Sequence, residues 1–205
     1  MNLISKVHFA IRRHWSRFLF SDRILSWFSD LTDPKELSFF TRDWGGGTIW
    51  DVGASVGKYT TILANNNPRS HVVAFEPNFN SLYYLAYRTA KLSNVSIAPN
   101  ALTSSGQPFI GTYDPDFTAP STGPMMASLS LREAVAKFGF PVFVKMDIEG
   151  GEYELLQCED AALLADSTIL VSWHPQLAKL PIPNLSMWKQ TIICKNLGLL
   201  EPLKK

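Results

Sequence analysis

The sequence predicts an α/β fold in which a doubly wound, mostly parallel sheet of the Rossmann-like type carries helices on both faces. From residue 48 onward, short apolar runs of strand length alternate with amphipathic helical segments. Two of these runs end at an acidic residue, Asp51 in the first and Glu76 in the second, and a glycine-containing loop follows the first. Ligands of such sheets bind at the carboxyl ends of the strands, so these two acids mark a candidate site.

The order of the predicted elements supports this fold class. We expect strands at 48–52, 71–75, 95–98, 142–146 and 168–172. We expect helices at 56–64, from Asn78 or Asn80 to residue 92, at 131–138 and at 185–197. The run Asn65 to Pro68 ends the first of these helices, and Gly198 ends the last.

Residues 1–44 are interpreted as a helical extension ahead of an α/β domain at 45–205. Apolar side chains within residues 4–18 fall on one stripe of a helix, and basic side chains fall on the opposite face. Charges interrupt this segment well short of the roughly 18 apolar residues of a membrane-spanning helix, and it lacks the apolar core of a signal peptide. The stripe either packs against the domain or another subunit, or makes peripheral contact with a membrane.

Residues 103–128 interrupt the alternation of strands and helices. Serine, threonine, glycine and proline dominate this stretch, and three aromatic residues are interspersed. A connection of this length in a compact domain is either disordered or functional. We interpret it as a lid loop on the substrate side of the site, with a hairpin at 109–113.

A glycine motif in residues 50–59, WDVGASVGKY, indicates which ligand the site takes. Dinucleotide sites use G-x-G-x-x-G, whose three glycines pack a pyrophosphate against the helix. Here Asp51 precedes Gly53 and Gly57, and its charge would repel a pyrophosphate but suits an ammonium. Glu76, at the end of the next strand, can accept both hydroxyls of a ribose. The pattern is typical of S-adenosylmethionine sites, and a tight strand–helix turn in another α/β protein is the structural alternative.

A second acidic stretch follows the predicted strand at 142–146. Residues 142–157 read VFVKMDIEGGEYELLQ and place Asp147, Glu149 and Glu152 just past the strand end. Glu152 has a structural explanation, because acidic residues stabilise the start of a helix. Asp147 and Glu149 lack one as simple, and we expect both to point into the cleft.

Five segments within residues 48–175 occur in one order: DVGASVGKYT, VVAFEPN, NVSIAPNAL, VKMDIEGGEYELL and an apolar strand that runs into WHP. In these segments the chain resembles the FkbM-type S-adenosylmethionine-dependent methyltransferases. The resemblance implies a class I methyltransferase fold with S-adenosyl-L-methionine as the cofactor. It also implies O-methylation of a hydroxyl group on a sugar, a glycan or a secondary metabolite.

The cofactor-binding residues follow from the motif positions and the resemblance. Asp51 and the two glycines of the motif are expected on the methionine and ribose side, and Glu76 at the ribose hydroxyls. Asn100 either approaches the adenine edge or is a turn asparagine. The complete expected set is Asp51, Gly53, Gly57, Glu76, Pro77, Asn78, Asn100 and Asp147.

Methyl transfer to a hydroxyl requires a base within hydrogen-bond reach of the acceptor. The candidates for this catalytic role are His174, Asp147 and Glu149. His174 follows the last predicted strand of the sheet, and the ordinary histidine pKa of about 6.5 suits a base at neutral pH. A structural histidine in a Trp-His-Pro turn is the alternative for His174.

Two features depart from the family pattern. Members place a glutamate two residues before the histidine, where this chain has Ser172, so the pairing that would tune a histidine base is weakened. After the last predicted helix only GLLEPLKK remains, which leaves room for one short strand and predicts a truncated C-terminal hairpin. The sheet edge is then completed by another chain, naturally trimmed, or part of an impaired enzyme. An impaired enzyme would be a cofactor-binding domain that serves as an interaction module.

Composition and charge bound the partners and the location. A formal net charge of +1 argues against nucleic acid as the partner. Cys158 and Cys194 lie in apolar patterns, which favours free thiols and a cytoplasmic protein, membrane-associated if residues 4–18 contact lipid. No metal-ligand spacing of Cys and His occurs in the sequence. The expected partners are a small-molecule or glycan acceptor and, from the unfinished sheet edge, a second copy of the chain.

Overall fold

The computed structural model describes residues 34–110, 124–148, 150–173, 190–195 and 199–202. Its strands are, in chain order, β1 (Gly47–Val52), β2 (Ser70–Phe75), β3 (Val95–Ala98), β4 (Ala101–Leu102), β5 (Phe109–Ile110), β6 (Met125–Met126), β7 (Ser128–Leu129), β8 (Pro141–Met146), β9 (Thr168–Trp173), β10 (Gln190–Lys195) and β11 (Leu199–Pro202). Its helices are α1 (Pro34–Phe40), α2 (Lys58–Asn66), α3 (Phe79–Thr89), α4 (Leu131–Phe138) and α5 (Glu152–Gln157), followed by a 3-10 helix at Glu159–Leu164.

The main sheet contains seven strands in the order β11-β10-β9-β8-β1-β2-β3. Neighbouring strands pair in parallel, except β10 and β11, which pair antiparallel. The chain leaves β1 toward β2 and β3 on one side and later returns to place β8 on the other side. The carboxyl end of β1 therefore lies at the point where strand order reverses, which is where open α/β sheets bind ligands. The predicted fold class is confirmed.

The central strands are buried on both faces, as parallel strands between helical layers require. Because side chains alternate along a strand, Trp50 and Val52 pack in one hydrophobic cluster and Ile49 packs in a second. The second cluster also contains Leu63 of α2 and Phe143 of β8. Asp51 and Lys145 follow Ile49 and Phe143 by two positions. They must therefore lie on the α2 side of the sheet, at its carboxyl edge.

The predicted and observed boundaries agree closely for the first three strands, for β8, β9 and for α4. Helix α2, predicted to begin at residue 56, begins at Lys58, because Gly57 adopts a left-handed conformation, with φ of 81°, at the N-cap. Asn78 caps α3 by accepting the N–H of Asn80 at 2.9 Å, and α3 ends at Thr89.

The helix predicted at 185–197 is wrong over the part that the structure describes. Gln190–Lys195 forms β10, which pairs in parallel with β9. The segment contains Thr191, Ile192 and Ile193, and β-branched residues favour a strand. Since β11 then pairs antiparallel with β10, the edge carries a two-stranded hairpin where the sequence left room for one strand. The expectation of a truncated hairpin arose from the misassigned helix.

The segment predicted as a lid loop is joined to the domain at both ends. The short strands β4 and β7 pair in parallel, and β5 pairs antiparallel with β6. The hairpin predicted at 109–113 therefore has its first strand at Phe109–Ile110, but the partner strand is Met125–Met126. Residues 111–123 lie outside the described part of the chain, so the lid stays a prediction.

The predicted helix over residues 4–18 also lies outside the described residues. Among the residues that are described, no helix is long and apolar enough to cross a membrane.

Candidate functional site

The loop after β1 folds over the end of β2. The N–H groups of Gly53 and Ala54 both donate to the carbonyl oxygen of Phe75, each at 3.0 Å. Ser55 follows in a positive-φ conformation, with φ of 50°, which turns its N–H toward the next residue of the neighbouring strand end. That residue is Glu76, and the N–H of Ser55 donates to its Oε2 at 2.7 Å.

Glu76 is held at the tip of β2 by backbone groups. Its Oε1 accepts the N–H of Asn78 at 2.8 Å, so each carboxylate oxygen receives one N–H and keeps further lone-pair capacity. The side chain is nearly buried, with 7% of its surface exposed. Burial raises the pKa of Glu76 above its ordinary value of 4.5, against the opposing effect of the two N–H groups. The result is a pair of fixed acceptors, as recognition of two adjacent hydroxyls requires.

The residues predicted around the adenosine lie at the same edge of the sheet. Pro77 and Asn78 are half-buried, and the side-chain oxygen of Asn78 caps α3. Asn100 is half-buried and follows β3, whose Ala98 carbonyl accepts the N–H of Glu76 at 3.1 Å. The ends of β2 and β3, which Glu76 and Asn100 follow, are thus neighbours at this edge of the sheet.

Asp51 differs from the expectation that it faces a ligand. It is fully buried, and its Oδ2 accepts the hydroxyl of Thr60 on α2 at 2.6 Å. Its Oδ1 lies 3.3 Å from the Nζ of Lys145, which stands directly opposite Asp51 in the register of β1 and β8. The carboxylate is therefore enclosed by protein groups.

The two motif glycines are required by protein neighbours. Both have φ near 80°, a conformation that side chains disfavour. A Cβ on Gly53 would stand 1.9 Å from the carbonyl oxygen of Asp147, so the loops after β1 and β8 touch there. A Cβ on Gly57 would stand 2.7 Å from Leu85 Cδ1 of α3. The sequence had assigned both glycines to the ligand side.

Asp147 is half-buried at the end of β8, with 24% of its side chain exposed. Its N–H donates to the carbonyl oxygen of Val52 at 3.0 Å, which fixes it beside the end of β1. Its Oδ2 lies 3.9 Å from Lys145 Nζ. The other two base candidates, Glu149 and His174, lie outside the described residues.

Glu152 shapes the loop between β8 and α5. Its carboxylate is fully buried and accepts the N–H of Ile148 at 2.8 Å and that of Gly150 at 2.7 Å. These bonds satisfy two loop N–H groups ahead of the helix. The structural explanation predicted for Glu152 therefore has a direct basis in its contacts.

Lys145 belongs to the site although the sequence interpretation assigned it no role. Its ammonium donates to the carbonyl oxygen of Gly53 at 3.0 Å, and only 3% of its side chain is exposed. Burial alone would lower the pKa of Lys145, but Asp51, Asp147 and the neighbouring Tyr59 outweigh it and hold the pKa above its ordinary value. A signal was present in the sequence, since a lysine inside an apolar strand (VFVKM) is rarely buried without a partner.

The geometry suits a nucleoside that carries positive charge. Glu76 offers two hydrogen-bond acceptors for vicinal hydroxyls, and Asp147 adds a partly exposed carboxylate two strands away. Among the described residues, no group of three or more His, Cys, Asp or Glu side chains could hold a metal ion. The two acceptors of Glu76 and the negative charge of Asp147 fit the cofactor that the glycine motif predicts.

A family model described as the Methyltransferase FkbM domain matches residues 51–179, which is more than half of the chain. The matched range contains every residue of the site described above. No curated protein sequence matches the chain.

Several solved structures share parts of this fold. A precorrin-6y C5,15-methyltransferase from Geobacter metallireducens GS-15 has 16% identity over 68% of this chain and 63% of its own, with a TM-score of 0.43. A SAM-dependent methyltransferase from Aquifex aeolicus has 16% identity over 80% of this chain and 63% of its own, with a TM-score of 0.36. A short-chain dehydrogenase/reductase from Serratia marcescens has 12% identity over 70% of this chain and 61% of its own, also with a TM-score of 0.36. Likenesses this weak carry no argument about activity.

Proposed function

The chain belongs to the FkbM methyltransferase family and uses S-adenosylmethionine, and from this premise we propose that it methylates a hydroxyl group of a sugar, a glycan or a secondary metabolite. We also propose that residues 45–205 form the catalytic domain and that residues 1–44, of which 1–33 lie outside the described part of the chain, form a helical extension. When bound, S-adenosylmethionine supplies the methyl group on its sulfonium, and the acceptor oxygen takes it.

The observation that carries the proposal is the arrangement of Glu76. Its two oxygens are fixed by the N–H groups of Ser55 and Asn78, so the carboxylate needs no reorganisation before it accepts the two ribose hydroxyls. Hydrogen bonds to an ionised acceptor are worth about 1.5–3 kcal/mol each. A pair of them provides enough free energy to make Glu76 the main anchor of the nucleoside.

The remaining cofactor contacts are proposed from position. Pro77 and Asn100 flank the nucleoside at the ends of β2 and β3, with Asn78 beside them. The loop of Gly53 and Gly57 borders the methionine side. Asp147 attracts the positively charged part of the cofactor or orients the acceptor, and Asp51 supports the loop from beneath.

Removal of the acceptor proton is assigned to one of three residues. Asp147, Glu149 and His174 follow the carboxyl ends of β8 and β9, which is the edge where the glycine loop lies. A base must reach the hydroxyl in the same geometry that aligns oxygen, methyl and sulfur, and such alignment contributes several kcal/mol to the barrier reduction. Substitution of each candidate, as Asp147→Asn, Glu149→Gln and His174→Ala, should lower turnover most for the residue that takes the proton.

One observation favours a second function, a cofactor-binding domain without transferase activity. Ser172, on β9, stands where family members place a glutamate, and Ser cannot pair with an imidazolium as a carboxylate does. In that case the domain would bind S-adenosylmethionine and serve as an interaction module.

Two measurements test the proposal. Calorimetric titration with S-adenosylmethionine should show binding, whereas a nicotinamide dinucleotide should not bind. Incubation with methyl-labelled cofactor and a panel of sugars, glycans and cell-envelope extracts should then label a hydroxyl-bearing acceptor. Binding without labelling across the panel would favour the interaction module, and dinucleotide binding would contradict both functions.

A further inference from the structure

Lys145 is a buried cation at the junction of two functional loops. Its Nζ lies 3.0 Å from the carbonyl oxygen of Gly53, 3.3 Å from Asp51 Oδ1 and 3.9 Å from Asp147 Oδ2. The ring of Tyr59 covers it, with Nζ 5.3 Å from the ring centroid. A buried ammonium costs several kcal/mol of desolvation, so its neighbours must compensate it.

These neighbours belong to different parts of the site. Gly53 lies in the loop after β1, which borders the cofactor, whereas Asp147 begins the loop after β8, which leads to the base candidates. The two loops already touch, because the N–H of Asp147 donates to Val52 and the Cα of Gly53 faces the carbonyl of Asp147. Lys145 adds a side-chain link that joins the backbone of one loop to the carboxylate of the other.

The charges at this junction are unequal. Lys145 supplies one positive charge between the carboxylates of Asp51 and Asp147, so it reduces their mutual repulsion. Asp51 is enclosed, with its Oδ2 bound to Thr60, whereas Asp147 is partly exposed. Of these two carboxylates, that of Asp147 is therefore the one that solvent reaches.

We propose that Lys145 is a positioning residue that couples the cofactor loop at Gly53 to the acceptor-side loop at Asp147. The inference rests on the proposed function, and it goes beyond it by assigning the alignment of the two reactants to one side chain. Binding of S-adenosylmethionine against the β1 loop then orders the loop after β8 as well. Without the link, the cofactor still binds through Glu76, but the acceptor side is no longer held in register with it.

Amide hydrogen exchange measures this coupling without an acceptor. In the wild type, S-adenosylmethionine should slow exchange in residues 53–57 and also in residues 147–152. In Lys145→Met, protection of 53–57 should remain, and protection of 147–152 should fall by about tenfold. Lys91→Met, an exposed lysine outside the site, should behave as the wild type. Once an acceptor is known, Lys145→Met should lower kcat and leave the KM for S-adenosylmethionine within about threefold.

Lys145→Gln provides the second variant, because its amide can still donate to Gly53 but carries no charge. With S-adenosylmethionine bound, its protection of residues 147–152 from amide exchange should be intermediate between that of Lys145→Met and that of the wild type. If Lys145→Met does not fold, Lys145→Gln alone tests the coupling. Wild-type protection of 147–152 in either variant would overturn the inference, as would a folded Lys145→Met that binds no cofactor. A wild type that fails to bind S-adenosylmethionine would instead contradict the proposed function.

Discussion

Asp51 and Glu76 stand at the ends of neighbouring strands, yet the protein treats the two carboxylates differently. Asp51 is enclosed by side chains, with Thr60 and Lys145 as its partners, and none of its surface is exposed. Glu76 is held by two backbone N–H groups at the carboxyl end of β2, beside the switch point at β1. A carboxylate that is held by backbone N–H groups keeps lone pairs that can accept hydrogen bonds from a ligand. A carboxylate that is paired with a buried lysine instead contributes to the stability of the fold. We therefore propose that Asp51 stabilises the fold and that Glu76 recognises the cofactor.

The largest expected effect is on folding. Asp51→Ala removes the nearer carboxylate from the buried Lys145 ammonium and leaves it with Asp147 at 3.9 Å, and loss of one partner of a buried ion pair costs about 3–5 kcal/mol. The free energy of unfolding measured by urea denaturation should fall by that amount. Asp166→Ala, which removes an exposed acid, serves as the control. If Asp51→Ala lowered the free energy of unfolding by less than about 1 kcal/mol, Asp51 would not have the stabilising role proposed for it.

The second effect is on cofactor affinity. Glu76→Ala removes both acceptors for the ribose hydroxyls, so the affinity for S-adenosylmethionine measured by calorimetry should fall by about 100-fold or more. The free energy of unfolding should change by less than half of the change in Asp51→Ala. Glu159→Ala, an exposed glutamate, should leave affinity unchanged. The roles of the two acids would be reversed if Asp51→Ala weakened binding more than Glu76→Ala while both stayed folded.

A smaller effect is expected where Thr60 supports Asp51. Thr60→Val keeps the shape of the side chain but removes the 2.6 Å hydrogen bond to a buried carboxylate, which is worth about 1.5–3 kcal/mol. Thr61→Val is a matched control, because the Thr61 hydroxyl donates to an uncharged carbonyl, that of Gly57. Thermal unfolding should rank Thr60→Val below Thr61→Val in stability. Equal melting temperatures would show that the Thr60 hydroxyl adds nothing to the Asp51 cluster.

The smallest effect is a pH dependence specific to Glu76. Burial raises the pKa of Glu76, so in the free protein its ionisation lowers the free energy of unfolding as the pH rises above about 4.5 through the folded-state pKa. Ribose hydroxyls donate to the ionised form, so the affinity for S-adenosylmethionine changes with pH in the opposite direction to the free energy of unfolding. Affinity for S-adenosylmethionine should decrease by about tenfold as the pH falls below that pKa.

Glu76→Gln lacks the titrating group and should bind weakly with no such pH dependence. A wild-type affinity that rises toward acid pH would contradict the assignment of ionised Glu76 as the acceptor.

Much of the fold was predictable because the local signals agreed with the final structure. Apolar runs of strand length located β1, β2, β3, β8 and β9, and the predicted cap Asn78 located the start of α3. β10 was missed because a short apolar segment has no periodicity that separates a strand from a buried helix. Only pairing with β9 distinguishes them, and pairing is not a local property.

The site was predictable at the level of strand ends but not of individual contacts. Glu76 reaches the position that its motif implies, whereas the enclosure of Asp51 depends on the register that sets Lys145 opposite it. The glycines illustrate the same limit, because the motif locates the loop but the contact of Gly53 with Asp147 exists only after β8 inserts beside β1. Sequence patterns thus locate the edge of the sheet that carries the acids, and tertiary neighbours decide which of the acids is enclosed.

The most direct measurement is a crystal structure of the protein with S-adenosylmethionine. If Glu76 recognises the cofactor, the two ribose hydroxyls should lie within hydrogen-bond distance of its Oε1 and Oε2. The Asp51 side chain should still be bound to Thr60 and Lys145. A nucleoside bound elsewhere, or one whose sugar is held by Asp51 while Glu76 contacts only Ser55 and Asn78, would contradict this account.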